Sequence, residues 1–193
     1  MSAASPADPV PGRILLYGVT GSGKTTAALR IGAALGVPVT LVDEIGWMPA
    51  WVPRPLEDQI VLVQMAMAGE QWLLDSAYGD WKQLVLSRAE LVIGLDYPRW
   101  FSLLRVTRRT FHRVVTRQEL FAGNRETWRQ LFSRDSIVLW HFRSWRRKRT
   151  TMRDWEADAG APPVLLFRRA RDLERWIQSI ESSKTRGEAA TRR

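Results

Sequence analysis

Gly18-Val19-Thr20-Gly21-Ser22-Gly23-Lys24-Thr25 lies between an apolar run, residues 13–17 (RILLY), and a stretch of helical composition, residues 25–35 (TTAALRIGAAL). Every fixed position of the pattern G-x-x-x-x-G-K-[ST] is filled, in the strand-before, helix-after context that gives the pattern physical meaning. Glycines let successive backbone N–H groups turn inward and form a concave anion site. The helix N-terminus adds the positive end of its dipole. Lys24 is placed to reach the β- and γ-phosphates of a nucleotide, and the Thr25 hydroxyl to ligate Mg²⁺. Gly18, Thr20, Gly21, Ser22, Gly23, Lys24, Thr25 and Thr26 are therefore the candidate binding residues, with ATP and Mg²⁺ as the implied ligands.

Outward from this loop, apolar runs alternate with helical stretches. Residues 37–42 (VPVTLV), 71–75 (QWLLD), 91–95 (LVIGL) and 163–167 (PVLLF) read as further buried strands. Helices are expected over 56–68, 78–88, 98–116, 135–158 and 172–181, with Pro98 in the first turn of the third. Residues 45–55 read as a Pro- and Trp-rich loop. This alternation predicts an α/β fold with a parallel sheet covered on both faces. Ligands in such sheets sit beyond the carboxyl ends of the strands. Gly18, Asp43, Asp75, Asp96 and Arg168 stand at those ends. Asp75 is placed to hold Mg²⁺ directly or through water. Asp43 is placed to orient or deprotonate an acceptor hydroxyl. The competing role for either acid is a helix cap or a loop hydrogen bond, and Asp96, just before Tyr97-Pro98, reads as such a cap.

The chain's 193 residues suit one domain. The expected limits are a flexible leader over 1–12, the domain over 13–181 and a disordered tail over 182–193. No apolar run reaches the roughly 18 residues of a membrane span, and residues 1–12 lack the features of a signal peptide. The reading is a soluble, cytoplasmic protein without a membrane partner, monomeric or homodimeric. Zero cysteines exclude disulfides and thiolate chemistry, and only His112 and His141 are present for a histidine metal site.

The net charge of +9 is concentrated, since residues 98–153 hold 15 Lys and Arg against 3 Asp and Glu. Arg105, Arg109 and Arg113 recur at i, i+4, i+8 and share a helix face. Arg143, Arg146 and Arg147 repeat the theme. Two basic helices beside a phosphate loop can close over a nucleotide, neutralise its charge and exclude water. Trp128, Trp140 and Trp145 are interleaved with these arginines, which suggests single-stranded nucleic acid as an alternative partner. A further alternative is a non-catalytic ATP-binding protein. Among ten tryptophans, Trp72, Trp100, Trp140 and Trp176 read as core. Trp47 and Trp51 follow Asp43 and, with Asp43 and Tyr78, are the candidate acceptor-facing residues.

GVTGSGKTT, LVDEIGWMPAWV, WLLDSAYGDW, LVIGLDYPRWFSLLRVTRR and VLLFRRARDLERWI together resemble the small P-loop kinases of the adenylate kinase and shikimate kinase type. More narrowly they resemble the bacterial, adenylate-kinase-like topology modulation proteins. The resemblance spans about residues 13–180. It implies a P-loop NTPase fold with a five-stranded parallel sheet of order 2-3-1-4-5, a substrate lobe near 44–70 and a basic helical lid near 105–150. It further implies nucleotide contacts by Arg105, catalytic phosphate contacts by Arg109, and a loop at Arg168 lying against the base. The chain departs from the pattern three times, and one departure is a 118–150 segment longer and more basic than a short lid. Adenylate kinases carry Gly-Phe-Pro-Arg where Asp75-Ser76-Ala77-Tyr78-Gly79 stands, and shikimate kinases carry a second acid where Ile45 stands.

Overall fold

A computed structural model describes residues 10–131 and 136–191. The chain begins with β1 (Arg13–Gly18), α1 (Lys24–Leu35), β2 (Val39–Thr40) and α2 (Val42–Gly46). A hairpin of β3 (Trp47–Met48) and β4 (Val52–Pro53) follows, then α3 (Leu56–Ala66), β5 (Trp72–Leu74) and α4 (Lys82–Leu86). Next come β6 (Leu91–Leu95), α5 (Arg99–Thr116), α6 (Trp128–Leu131) and α7 (Ile137–Ala157), and the chain closes with β7 (Val164–Phe167) and α8 (Ala170–Thr191). The main sheet runs β2-β5-β1-β6-β7 with every pairing parallel. The expected order 2-3-1-4-5 takes these numbers because the unforeseen hairpin β3/β4 enters the count between its second and third strands.

Alternation along β1 explains why two layers of helices form. Leu15 and Tyr17 point to one face and pack with Leu74, Val92, Val63, Met67, Trp81 and Met152. Ile14 and Leu16 point to the other and pack with Ala28, Ile31, Leu73, Ile93, Leu173 and Ile177. Successive strand residues face opposite ways, so an all-apolar strand is buried only between two layers. Gly18 pairs with Leu95, which sets the end of β1 level with the end of β6.

Four expectations are corrected. Residues 37–42 do not extend as one strand: the Asp75 carboxylate accepts the Val42 N–H at 2.8 Å and turns the chain into α2. Asp43 therefore lies in a helix's first turn rather than at a strand end. Trp100 and Trp140 are 68% and 46% exposed, because they sit on the outward faces of α5 and α7, whereas Trp72 is buried and Trp176 packs on Phe167. Asp96 does not cap α5, whose first turn follows Pro98. Its carboxylate instead pairs with Arg149 at 3.0 Å and Arg153 at 2.9 Å. Finally, α8 continues past residue 181 into the expected tail, and Lys184 donates to the Ala33 carbonyl at 2.7 Å, tying that turn to α1. Residues 1–9 of the expected leader lie outside the described residues.

The contacts of α7 with α5 and β6 descend in order. His141 meets Ser102 and the Trp145 indole N–H donates to the Tyr97 carbonyl, while Arg149 and Arg153 meet Asp96. The two long helices therefore run antiparallel, with the end of α7 fastened over the carboxyl end of the sheet.

Candidate functional site

The loop after β1 owes its shape to glycine where no other residue fits. Gly21 (φ +78) and Gly23 (φ +93) are left-handed. A Cβ on Gly21 would lie 2.4 Å from the Ser102 carbonyl oxygen, so the backbone of α5 rests directly on the loop. Ser22 is buried and its hydroxyl donates to the Val19 carbonyl at 2.8 Å, folding the loop on itself. α1 starts at Lys24 with no side-chain cap and no acid in its first turn. Its leading N–H groups keep their positive potential for an external anion. Thr20 and Thr26 flank this opening, and one Arg109 nitrogen lies 3.5 Å from the Thr20 hydroxyl.

Two side chains of the loop converge with carboxylates from other elements. The Thr25 hydroxyl donates to Asp75 Oδ2 at 2.9 Å, while Asp75 Oδ1 holds Val42. Asp75 is only 4% exposed, and burial pushes its carboxyl up, opposed by the Val42 N–H, the Lys24 ammonium and the Thr25 hydroxyl. Lys24 Nζ donates to the Val19 carbonyl at 3.0 Å. Its ammonium is pulled down by burial and held up by the charges of Asp75 and Asp43. Asp43 itself is exposed and accepts the Tyr78 hydroxyl at 2.5 Å. Burial, then the neighbouring Asp43 charge, raises the Tyr78 phenol well above its ordinary value. Tyr78 packs on Gly46, where a Cβ would come within 2.6 Å of its ring.

The remaining expected residues divide. Arg105 lies over the Phe101 ring at 5.5 Å, and a Cβ on Gly23 would meet its guanidinium at 3.0 Å, so it borders the loop. Arg113 is paired with Glu126 at 3.3 Å. Arg168 stands beyond the edge strand β7, exposed, with Glu156 as its ion-pair partner at 3.9 Å. Trp47 meets Trp51 edge-on at 5.9 Å, and Trp51 meets Phe121 at 5.6 Å. Trp51, expected to face an acceptor, instead engages the segment after α5. Its backbone N–H donates to Asn124 Oδ1 at 2.8 Å and its indole N–H to the Arg125 carbonyl at 3.1 Å. Asn124 Nδ2 in turn donates to the Met48 carbonyl at 3.0 Å.

Sequence reasoning missed Lys148. Its Nζ donates to the Gly18 carbonyl at 3.1 Å and lies 5.2 Å from the centre of the Tyr17 ring. Burial, and then the nearby Lys24 charge, lowers its pKa to about 7. The signal available was spacing: His141, Ser144, Lys148 and Met152 recur at i, i+3, i+7, i+11, the inward stripe of a helix.

The donor set suits a nucleotide with Mg²⁺. Free helix N–H groups and a lysine serve phosphates, and a hydroxyl beside a single carboxylate matches an ion that keeps most of its water. No protein-family model and no curated protein sequence matches the chain. Among solved structures, a gluconokinase from Sinorhizobium meliloti 1021 aligns with a TM-score of 0.54 at 16% identity, over 93% of this chain and 94% of that one. A shikimate kinase from Bacteroides thetaiotaomicron aligns with a TM-score of 0.50 at 15% identity, over 88% of this chain and 96% of that one. The likeness is one of fold, a parallel α/β sheet shared with these two structures. No helix among the described residues is long and apolar enough to cross a membrane.

Proposed function

We propose that the protein is an ATP-dependent phosphotransferase acting on a small hydroxyl-bearing acceptor. The observation that carries this reading is the Thr25–Asp75 hydrogen bond of 2.9 Å, which joins the phosphate loop to the end of a neighbouring strand. Residues 18–25 and Thr26 bind the triphosphate through backbone N–H groups. Lys24 exchanges the Val19 carbonyl for phosphate oxygens. Thr25 and Asp75 would hold Mg²⁺, which supplies charge neutralisation between the terminal phosphates. Arg105 and Arg109 face the same loop from α5, as part of a basic lid. Asp43 takes the proton of the acceptor hydroxyl, and the Tyr78 hydroxyl holds the carboxylate in place for it. The aromatic wall of Trp47 and Tyr78 borders the acceptor. Arg168 serves the base only if the closed complex brings it there.

The test is direct. Wild-type protein incubated with γ-labelled ATP and a panel of nucleosides, sugars, polyols and hydroxy acids transfers label to one class. K24A abolishes both transfer and calorimetric ATP binding. ATP affinity unchanged in K24A would refute the reading. A second reading has one observation in its favour: exposed Trp100, Phe111, Trp140 and Phe142 share α5 and α7 with arginines, and Arg99 stacks over Phe142 at 4.1 Å. Aromatics interleaved with cations suit single-stranded nucleic acid. That reading requires binding that weakens steeply with salt, and absence of binding at low salt removes it.

A further inference from the structure

Lys148 has no task in the reaction as described. Its position is costly for a lysine. It lies in the inward stripe of α7 between Ser144 and Met152, both buried. Its stem runs beside Tyr17, and its hydrogen bond is to the Gly18 carbonyl. Among the described residues no carboxylate comes within ion-pair distance of it. Its charged surroundings are Lys24, Asp43, Arg147 and Asp75, with the lysine the strongest influence. Lys24 likewise rests on a carbonyl, that of Val19, with no carboxylate within ion-pair distance among the described residues, although Asp75 and Asp43 lie near enough to favour its charge. Two ammonium groups thus rest on adjacent carbonyls of one loop, each with donors to spare. Both side chains are half-buried, and like charges held close are unfavourable unless an anion comes between them.

The position is also fixed. Trp145 donates to the Tyr97 carbonyl, and Arg149 and Arg153 grip the buried Asp96. These contacts flank Lys148 by three, one and five residues and tie this turn of α7 to the end of β6. Lys148 therefore belongs to the body of the site and is not delivered by closure of the segment that follows α5.

We propose that Lys148 is a second catalytic lysine of the loop, whose ammonium leaves the Gly18 carbonyl to contact the terminal phosphoryl group of the donor nucleotide. This rests on the phosphotransferase reading above. In the transfer the bond between the γ-phosphorus and the oxygen bridging to ADP breaks, and a bond to the acceptor oxygen forms. The acceptor's proton passes to Asp43. Lys148 keeps its protons and stabilises charge on the group in transit. The low pKa caused by burial adds to the case, because an ammonium so placed gains much from an anion.

The test compares Mg²⁺-ADP with the Mg²⁺ complex of the imido-bridged ATP analogue, which carries the third phosphate. In K148M the analogue binds about tenfold or more weakly, as expected for one lost charge-assisted hydrogen bond, while ADP changes less than about twofold. Equal losses for both nucleotides, or no loss, would overturn the proposal. Should wild-type protein bind neither nucleotide, the phosphotransferase reading itself fails. A second measurement needs no variant. Lys148 of the wild type is acetylated by an activated ester near neutral pH, and inorganic tripolyphosphate protects it while adenosine does not. Acetylation of Lys148 unaffected by saturating tripolyphosphate overturns the proposal even if K148M does not fold.

Discussion

Asn124→Ala opens the joint between the β3/β4 hairpin and the segment after α5. Asn124 is 3% exposed. Its carbonyl oxygen accepts the Trp51 N–H at 2.8 Å, and its amide donates to the Met48 and Phe121 carbonyls at 3.0 and 3.1 Å. Each such bond contributes about 0.5–1.5 kcal/mol net, and a partner stranded out of water costs about 1–3 kcal/mol. The whole side chain is then worth about 2–4 kcal/mol to the joint, with water partly relieving the stranded groups. The Trp51 indole bond to Arg125 and the Trp51–Phe121 edge contact survive the substitution. No residue of the main sheet takes part, so the loss is local. Hydrogen exchange reads it: protection of the Trp51 amide falls by about 30- to 800-fold, from the same 2–4 kcal/mol. Peptides covering β1 and β6 keep their protection, and the unfolding midpoint moves little. Unchanged protection at Trp51 would refute the reasoning, because it would mean that the rings and the indole bond hold the joint without Asn124.

Gly21→Ala forces a left-handed alanine, about 1–2 kcal/mol, and sets its Cβ 2.4 Å from the Ser102 carbonyl. The thermal midpoint falls and nucleotide binding is lost, whereas binding preserved at wild-type affinity would show that α5 yields freely. Asp75→Asn weakens the Mg²⁺-dependent part of ATP affinity by tenfold or more on the scale of a charged contact, about 1.5–3 kcal/mol, while metal-free ATP binding changes little in calorimetry. Burial, then the Arg99 charge, holds His141 below its ordinary pKa. Between its folded value and about 6.5 the unfolded chain binds more protons, so this residue's contribution to stability falls as pH drops through that window. Denaturant unfolding at pH 5 and 7.5 therefore shows a smaller acid loss in His141→Asn than in wild type, and equal losses would exclude His141 as a source.

The phosphate loop was legible because its pattern names residues whose geometry is local: glycines at left-handed φ, a lysine, and a hydroxyl at a helix start. The parallel sheet was legible because buried strands are continuous apolar runs. What the sequence hid was set by distant partners. Residues 41–42 read as the end of a strand until Asp75, more than thirty positions away, accepts the Val42 N–H and starts a helix. The β3/β4 hairpin has strands of two residues and takes its place from Asn124. Asp96 looked like a cap because Pro98 follows, yet its arginines arrive 53 and 57 positions later. Trp100 and Trp140 sit in helices with apolar residues on both faces, so composition alone gave no inside. Lys148 was hidden in Arg146-Arg147-Lys148-Arg149, a run that reads as solvated surface.

The Asp96 clamp has a mechanical consequence. Three pins fix α7 to the sheet between residues 145 and 153. The first eight residues of α7, about 12 Å of helix at 1.5 Å per residue, extend past the last pin. A tilt of α7 would pivot at this fulcrum beside the phosphate loop and sweep the far tip widely, while the lysine at the pivot would hardly travel.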